Sequence, residues 1–236
     1  LKVLNGRAVM LSLTDSDYRD LFVAFCNDLC GSLIMTRSPS NALSTLIPRV
    51  QKWTNFFRAG AEGLSRARVV GLFGELSLLK QIGKEIGIDA GFDFWKGHDG
   101  SIHDFERENL GIEVKSTTAS VPKEISVSSI SQLSPAFFPD LYLIVTHLTE
   151  NFSSGYSLDE IVAEVKNLLS EAKRSEFDDC LLNVGYVKRQ SKKYEKRYKV
   201  EKMLCYKLED TFPHISMKSL VNGITDVTYK LSLAAI

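Results

Sequence analysis

The sequence contains no apolar run long enough to span a membrane and no N-terminal stretch typical of a signal peptide. Cysteine and histidine are scarce, with four of each in 236 residues, and their spacing lacks the ligand pairs that zinc sites require. Reduced, buried thiols are the expectation at the four cysteines, which are Cys26, Cys30, Cys180 and Cys205. These absences favour a cytoplasmic protein without a membrane partner.

The chain also lacks a net charge of either sign, because 29 basic residues balance 29 acidic ones. The chain has no glycine-rich phosphate-binding loop, no G-x-S-x-G motif, no internal repeat and no low-complexity tract. With 44% hydrophobic residues, it can bury a sizeable core. Because the first residue is Leu rather than Met, we expect the chain to be part of a longer protein.

The most informative pattern is an alternation of apolar and polar side chains in residues 101–106 and again in 112–116. A polar, glycine-containing stretch separates the two segments, which predicts an antiparallel hairpin. Successive side chains of a strand point to opposite faces, so Glu113 and Lys115 share one face. With a suitable register, Asp104 on the partner strand lies beside Glu113. The hairpin thus predicts two neighbouring carboxylates with a lysine close by.

Two carboxylates side by side repel each other unless a cation neutralises them or their pKa values shift. Hard oxygen ligands of this kind suit Mg²⁺ or Mn²⁺. A bound metal can act as a Lewis acid and water activator, while the Lys115 ammonium holds an attacking water or stabilises a pentavalent phosphate. The pattern is typical of phosphodiester cleavage. The alternative interpretation is a set of incidental charges on the solvent face of a hairpin.

A largely buried helix is predicted upstream of the hairpin, over residues 69–83, from apolar residues at helical spacing. Glu75 is its single acid. A carboxylate in such surroundings is costly unless it is paired or coordinates a metal, and a solvated stripe of the helix is the alternative. Gly71 and Gly74 are poor helix formers, and they indicate close packing against a sheet.

Three further elements are predicted after the hairpin. Residues 123–127 should form a strand, 128–133 a short helix or turn, and 141–147 a continuous apolar strand of the buried kind. Gln132, in the short helix, is placed to hydrogen-bond a water or a phosphate, although capping of that helix also explains its polar residues. His103, in the hairpin, is expected to be a core histidine.

Four positions carry a family resemblance, namely Glu75, Asp104, Glu113 and Lys115. Together with the element order of helix, antiparallel hairpin, strand, short helix and strand, they make the chain resemble the PD-(D/E)XK nuclease superfamily. It looks closest to the bacterial PD-(D/E)XK motif proteins of restriction and phage-defence loci. The resemblance covers residues 65–148 and lacks the proline that precedes the first acid of the signature. It implies an α/β fold with a restriction-endonuclease-like core.

The resemblance implies roles for the four residues. Asp104 and Glu113 would bind Mg²⁺ or Mn²⁺, Lys115 would assist the nucleophilic water, and Glu75 would complete the metal site. The implied activity is that of a Mg²⁺-dependent DNA endonuclease in bacterial restriction or phage defence. The alternatives are a catalytically inactive DNA-binding or assembly subunit of a defence complex, and a structural protein. Implied partners are DNA, other defence subunits such as a methylase or an ATPase, and a second copy in a homodimer.

The basic residues are unevenly spread, because residues 188–199 hold seven cations, two tyrosines and one acid. Basic residues interleaved with aromatics are typical of a phosphate-tracking surface, and a solvated loop is the alternative. The candidate DNA contacts are Lys188, Arg189, Lys192, Lys193, Lys196 and Arg197, together with Gln132.

The outer segments predict additions to the core. Three regions are expected: an N-terminal helical support region at 1–60, a nuclease core at 61–150 and a C-terminal α+β extension at 151–236 that packs on the core. Outside the core, helices are expected over 15–30, 39–58, 157–173 and 176–182, and strands near 8–11, 198–209 and 225–233. A capping box at Ser157 begins the third of these helices.

Overall fold

In the part of the chain that the structure describes, two strands and four α-helices are followed by five strands, two α-helices and two final strands. The structure is a computed structural model and describes residues 2–4, 8–34, 36, 38–58, 63–120, 123–150, 154–187, 194–209, 211–216, 219–224 and 227–236. Its strands are β1 (Lys2–Leu4), β2 (Ala8–Met10), β3 (Phe105–Arg107), β4 (Leu110–Thr117), β5 (Glu124–Val127), β6 (Asp140–Glu150), β7 (Tyr156–Ser157), β8 (Arg197–Lys207) and β9 (Tyr229–Ser232). Its helices are α1 (Arg19–Ile34), α2 (Pro39–Arg58), α3 (Arg66–Ile86), α4 (Ile88–Phe94), α5 (Leu158–Leu168) and α6 (Glu171–Val184). The predicted α/β class is confirmed.

The chain forms two compact units. The first comprises Leu1–Gly63 and Gly185–Lys192, and the second comprises Leu64–Val184 and Lys193–Ile236. Within the second unit, β8 pairs with β6, so residues on both sides of position 150 build one sheet. The division into three regions stays a prediction. Among the described residues, none of the helices combines the length and the apolar character that a membrane span requires.

The first unit contains the helix pair α1 and α2, and both helices were expected from the sequence. An aromatic cluster lies between them, in which the Trp53 ring is 5.4 Å from that of Phe25 and 5.6 Å from that of Phe57. Asp28 of α1 accepts hydrogen bonds from Trp53 Nε1 and Arg49 Nε of α2, both at 2.8 Å. One carboxylate thus joins the two helices at the edge of their apolar contact.

A five-stranded mixed sheet organises the second unit, in the order β3-β4-β6-β8-β7. Strand β4 pairs antiparallel with β3 and parallel with β6, and β8 pairs antiparallel with both β6 and β7. In β6, the consecutive residues 143–146 are all buried, which requires cover on both faces of the strand. The hairpin and the buried strand predicted from the sequence are therefore both present.

Strand β5 occurs at the predicted place in the chain but lies outside the five-stranded sheet. It pairs antiparallel with β9, with Ile125 opposite Leu231, and forms a separate two-stranded sheet. The reason lies in its pattern, because buried Ile125 and Val127 alternate with exposed Glu124 and Ser126. Such a strand has only one apolar face to bury, and it places that face on the core around β6.

Helix α5 begins with the predicted capping box. Ser157 Oγ accepts a hydrogen bond from the Glu160 backbone N–H at 3.2 Å, and the Glu160 carboxylate accepts one from the Ser157 N–H at 2.7 Å. The helix then buries Leu158, Ile161 and Val165. The capping residues therefore fix where the chain turns from β7 into α5.

Helix α3 approaches the sheet most closely at Gly74. A Cβ atom at this position would lie 1.8 Å from the Ser116 hydroxyl oxygen of β4 and 3.0 Å from its Cβ. A Cβ atom at Gly71, one turn earlier, would meet nothing within 4 Å. The two glycines indicated by the sequence thus differ, and only Gly74 makes the close contact with the sheet.

We predict opposite effects for alanine at the two glycines of α3. Gly74→Ala should lower the free energy of unfolding by about 1 to 3 kcal/mol, because α3 must move off β4. Gly71→Ala should raise it by up to about 1 kcal/mol, because alanine favours the helix and has space. Urea unfolding of both variants measures this difference. Equal stabilisation by both substitutions would contradict the close approach.

Candidate functional site

Asp104 lies at the start of the hairpin and is held by backbone hydrogen bonds. Phe105 pairs with Ile112 in the β3–β4 register, so the residue before Phe105, Asp104, lies opposite Glu113, as the sequence predicted. The Val114 N–H donates to Asp104 Oδ2 at 2.8 Å. The Asp104 carbonyl accepts from the N–H groups of Lys96 at 2.7 Å and Gly97 at 3.1 Å. Backbone N–H groups therefore fix both the carboxylate and the main chain of Asp104.

Glu113 and Lys115 form a buried ion pair on β4. Lys115 Nζ lies 2.7 Å from Glu113 Oε1, and the Glu113 side chain is only 3% exposed. The other oxygen, Oε2, is buried without a hydrogen-bond partner among the described residues. Burial, reinforced by Asp104, raises the pKa of Glu113 to about 8, although Lys115 acts in the opposite direction. Glu113 thus presents an unsatisfied acceptor to the interior of the site.

Gln132 lies beside Lys115 and orients it. Gln132 Oε1 accepts hydrogen bonds from Lys115 Nζ at 3.0 Å, from the Ser128 N–H at 3.0 Å and from Ser128 Oγ at 3.1 Å. The structure therefore places Gln132 at the site, where the sequence suggested a contact with water or phosphate. Its contact in the structure is with the lysine, and the phosphate contact stays a prediction.

Glu75 of α3 reaches the same site from the helix. Its Oε2 accepts a hydrogen bond from the indole Nε1 of Trp95 at 2.8 Å. Burial, reinforced by Asp104, raises the pKa of Glu75 to about 8, and the Trp95 hydrogen bond and Lys115 oppose the rise. Burial likewise raises the pKa of Asp104, whereas the hydrogen bond from the Val114 N–H and the charge of Lys115 lower it. The raised values have a common origin, because three acids share a poorly solvated space.

Trp95 and Gly97 are site residues that the sequence analysis missed. Trp95 is fully buried, and its indole N–H needs an acceptor there. A Cβ atom at Gly97 would lie 2.6 Å from Glu75 Oε2 and 3.2 Å from Asp104 Oδ1, so both carboxylates border one small space beside this loop. A tryptophan directly before a glycine-containing loop is the signal that was available in the sequence.

The acids present fit a hard divalent cation. Glu75, Asp104 and Glu113 offer carboxylate oxygens, the ligands that Mg²⁺ and Mn²⁺ prefer, and Glu113 Oε2 has no protein donor among the described residues. Among the described residues, no group of three or more His, Cys, Asp or Glu side chains is placed close enough together to hold a metal ion in this arrangement. One oxygen of Glu113 faces Lys115 instead, so the acids border a common space without forming a complete cage.

His103 is a core residue, as predicted. It is 1% exposed, and its ring lies 5.3 Å from the Phe138 ring in an edge-on arrangement. Burial lowers the pKa of His103, although Glu106 opposes the effect. His103 therefore packs beneath the hairpin.

Two of the six basic residues proposed to contact DNA lie in the described part of the chain, and both have acidic neighbours. Lys196 Nζ donates to Glu150 Oε2 at 3.1 Å. Arg197 donates to Glu160 Oε1 at 2.8 Å and to the Gly155 carbonyl at 2.7 Å. The phosphate contacts of both stay predictions. The other four lie outside the described residues, and these are Lys188, Arg189, Lys192 and Lys193.

Comparison with known proteins identifies one family. A family model described as "Putative PD-(D/E)XK family member, (DUF4420)" matches residues 2–234, nearly the whole chain. A search of curated proteins and a search of solved structures gave no match. The match agrees with the superfamily inferred from Glu75, Asp104, Glu113 and Lys115.

We predict that the protein in EDTA loses stability as the pH rises. The folded-state pKa of about 8 for Glu75 and Glu113 exceeds the ordinary value of 4.5, so the folded state binds more protons than the unfolded state between these limits. The stability that these two acids contribute is therefore full below pH 4.5 and is lost as the pH rises towards 8. At about 1.4 kcal/mol per unit of pKa difference, the loss amounts to a few kcal/mol. Glu113 is the more enclosed acid and should contribute most.

Urea unfolding at pH 5.5 and 8.5 measures this dependence. Glu113→Gln should reduce the slope because the amide does not titrate. The matched control is Glu108→Gln, at the 82% exposed position in the turn of the same hairpin, which should leave the slope unchanged. Identical slopes for all three proteins would show that Glu113 is ordinarily solvated.

Proposed function

The chain belongs to the DUF4420 family, described as a PD-(D/E)XK family, and from this premise we propose that it is a metal-dependent DNA endonuclease. One observation carries the proposal, which is the arrangement of one buried acid, Glu113, and two half-buried acids, Glu75 and Asp104, around a lysine that is itself held in place. A surface hairpin with incidental charges would leave these acids solvated, whereas Glu113 is 2% exposed. The superfamily resemblance supports DNA as substrate and bacterial restriction or phage defence as the setting.

In this proposal Asp104 and Glu113 hold Mg²⁺ or Mn²⁺, and Glu75 supports the same site. When bound, the metal supplies a Lewis acid and lowers the pKa of water. Asp104 needs no rearrangement to take part, because the Val114 N–H fixes one of its oxygens. Trp95 fixes one oxygen of Glu75 in the same way. The protein thus provides carboxylates of preset orientation.

Lys115 provides the positive charge beside the acids. Its ammonium group is held by Glu113 Oε1 and Gln132 Oε1, and the Gln132 oxygen is itself fixed by Ser128. A lysine fixed in this way can donate a hydrogen bond to the attacking water and stabilise negative charge on the phosphorus oxygens in the transition state. Its position next to the metal-binding acids supports hydrolysis as the reaction.

We predict that the protein nicks supercoiled plasmid in Mg²⁺ or Mn²⁺ and that EDTA abolishes the reaction. Asp104→Asn and Lys115→Met should each lower the rate by about 100-fold or more, because each removes a charge from the site. Matched controls are Glu108→Gln and Lys207→Met, at exposed positions outside the site. These controls should cut at the parent rate. Gel analysis of plasmid forms over time gives the rates.

Three results would contradict the proposal, and each supports a different interpretation. Salt-sensitive binding of DNA by a parent protein that never cuts would favour the inactive DNA-binding or assembly subunit. Absence of both binding and cutting would favour the structural protein. Residual nicking that is equal in the parent and the Asp104→Asn variant would indicate a contaminating nuclease.

We predict that Gln132→Met slows cleavage about 10-fold at saturating plasmid without changing DNA affinity. Methionine keeps the length of the side chain but removes the acceptor that positions Lys115, and loss of such a supporting contact typically has this magnitude. Gln51→Met, at an exposed position on α2, is the control. Weaker DNA binding with an unchanged maximal rate would instead assign Gln132 to phosphate contact.

A further inference from the structure

A cavity with a largely apolar wall that carries several polar side chains lies within the same unit, bordered by α3, β7, the first turn of α5 and β8. Its volume is about 590 Å³, which falls in the range of small-molecule pockets. The side chains that give it polar character are Ser77, Lys80, Gln81, Lys84, Tyr156 and Lys199.

This cavity is separate from the candidate nuclease site. Glu75 is two residues from both Phe73 and Ser77, which line the cavity, and two residues correspond to about 200° around a helix. Glu75 therefore lies on the face of α3 opposite the one that carries Lys80 and Lys84. Neither Lys115 nor Gln132 borders the cavity.

The charge of the cavity wall favours an anion. Lys80, Lys84 and Lys199 line it, and no acidic side chain of the described residues does. Lys80 Nζ pairs with Glu164 at 2.6 Å, and Lys199 Nζ lies 3.5 Å from Glu201, both partners being outside the cavity lining. Lys84 forms no ion pair with a described residue.

A ligand anion can readily replace Glu201 as the partner of Lys199. Both side chains are about half exposed, at 55% and 45%, and such pairs contribute little because water screens them. A phosphate entering the cavity would meet Lys199 and Lys84 without having to break a buried contact. Lys80 is less exposed, at 19%, and keeps its partner Glu164.

Tyr156 adds an aromatic surface to the cationic wall. Its ring is exposed, and Lys80 Nζ lies 5.0 Å from the ring centroid. The strand that carries it is fixed, since Tyr156 pairs with Tyr198 and the Arg197 guanidinium donates to the Gly155 carbonyl at 2.7 Å. Lys80 lies over one face of the ring, and the residue is still 45% exposed, so a flat base can stack on the other face.

We propose that this cavity binds a free nucleotide, with its phosphate on Lys84 and Lys199 and its base on Tyr156. A single aromatic ring beside a confined group of lysines matches one nucleotide. A nucleic-acid strand would require a continuous groove with successive stacking surfaces. The inference goes beyond the proposed nuclease activity and does not depend on it.

Titration calorimetry of the full chain with AMP, ATP, adenosine and inorganic phosphate, in EDTA and low salt, tests the proposal. AMP and ATP should bind saturably with one site per chain. Adenosine and phosphate alone should each bind at least 10-fold more weakly, because each lacks half of the contacts. Raising the salt concentration should weaken AMP binding, because exposed charges are screened. Absence of saturable AMP binding, or equal affinity for adenosine, would overturn the proposal.

Variants of residues that line the cavity test where the ligand binds. Lys84→Glu combined with Lys199→Glu should lower AMP affinity at least 10-fold, and Tyr156→Leu should lower it without altering phosphate binding. The matched control is Lys230→Glu, at a 64% exposed lysine of β9 that does not line the cavity. Circular dichroism verifies that each variant folds.

Unchanged AMP affinity in the cavity variants would overturn the assignment. So would binding of single-stranded oligonucleotide that these variants abolish while AMP fails to bind, since that result assigns the cavity to a nucleic-acid strand. Plasmid nicking in nucleotide-free buffer is measured in parallel. Because the varied residues lie outside the nuclease site, failure of nicking and failure of AMP binding are separate results.

Discussion

The pairing of β4 on both of its edges is the constraint on which the rest of the second unit depends. Strand β3 occupies one edge and β6 the other, so the side chains of β4 must point above and below the sheet. One face then carries Ser116 beneath α3, and the other carries Glu113 and Lys115. The same pairing therefore both buries the sheet and places charged groups where water is scarce.

Placing three acids in one poorly solvated space costs stability, and the surroundings offset only part of that cost. Lys115 neutralises Glu113, while Trp95 and the Val114 N–H each satisfy one oxygen of another acid. The pKa values of Glu75 and Glu113 are raised because these contacts compensate for only part of the burial.

Helix α3 has a different role on each of its faces. Gly74 allows the helix to approach β4 closely, and that approach brings Glu75 within reach of Trp95 and the Gly97 loop. The opposite face presents Lys80 and Lys84 to the cavity beside β7 and β8. One helix therefore contributes side chains both to the cluster of acids and to this cavity.

Local patterns were sufficient to predict much of this protein. Alternation predicted the hairpin, helical spacing predicted α3, and an apolar run predicted β6, because each pattern reports burial along a single element. Two-residue spacing also placed Glu113 and Lys115 on one face without knowledge of the rest of the chain. The sequence related Gln132 to the site only because this residue follows the end of a predicted strand.

Tertiary structure alone decided the remainder. Strand β5 leaves the main sheet because its single apolar face finds Leu231 of β9, more than a hundred positions away. Trp95 and Gly97 join the site through Glu75, and Gln132 joins it through Lys115, and these partners are distant in the chain. The sequence by itself determined which residues could carry charge into the interior. Only the folded packing decided which of them meet, because such contacts depend on how separate elements bury one another's surfaces.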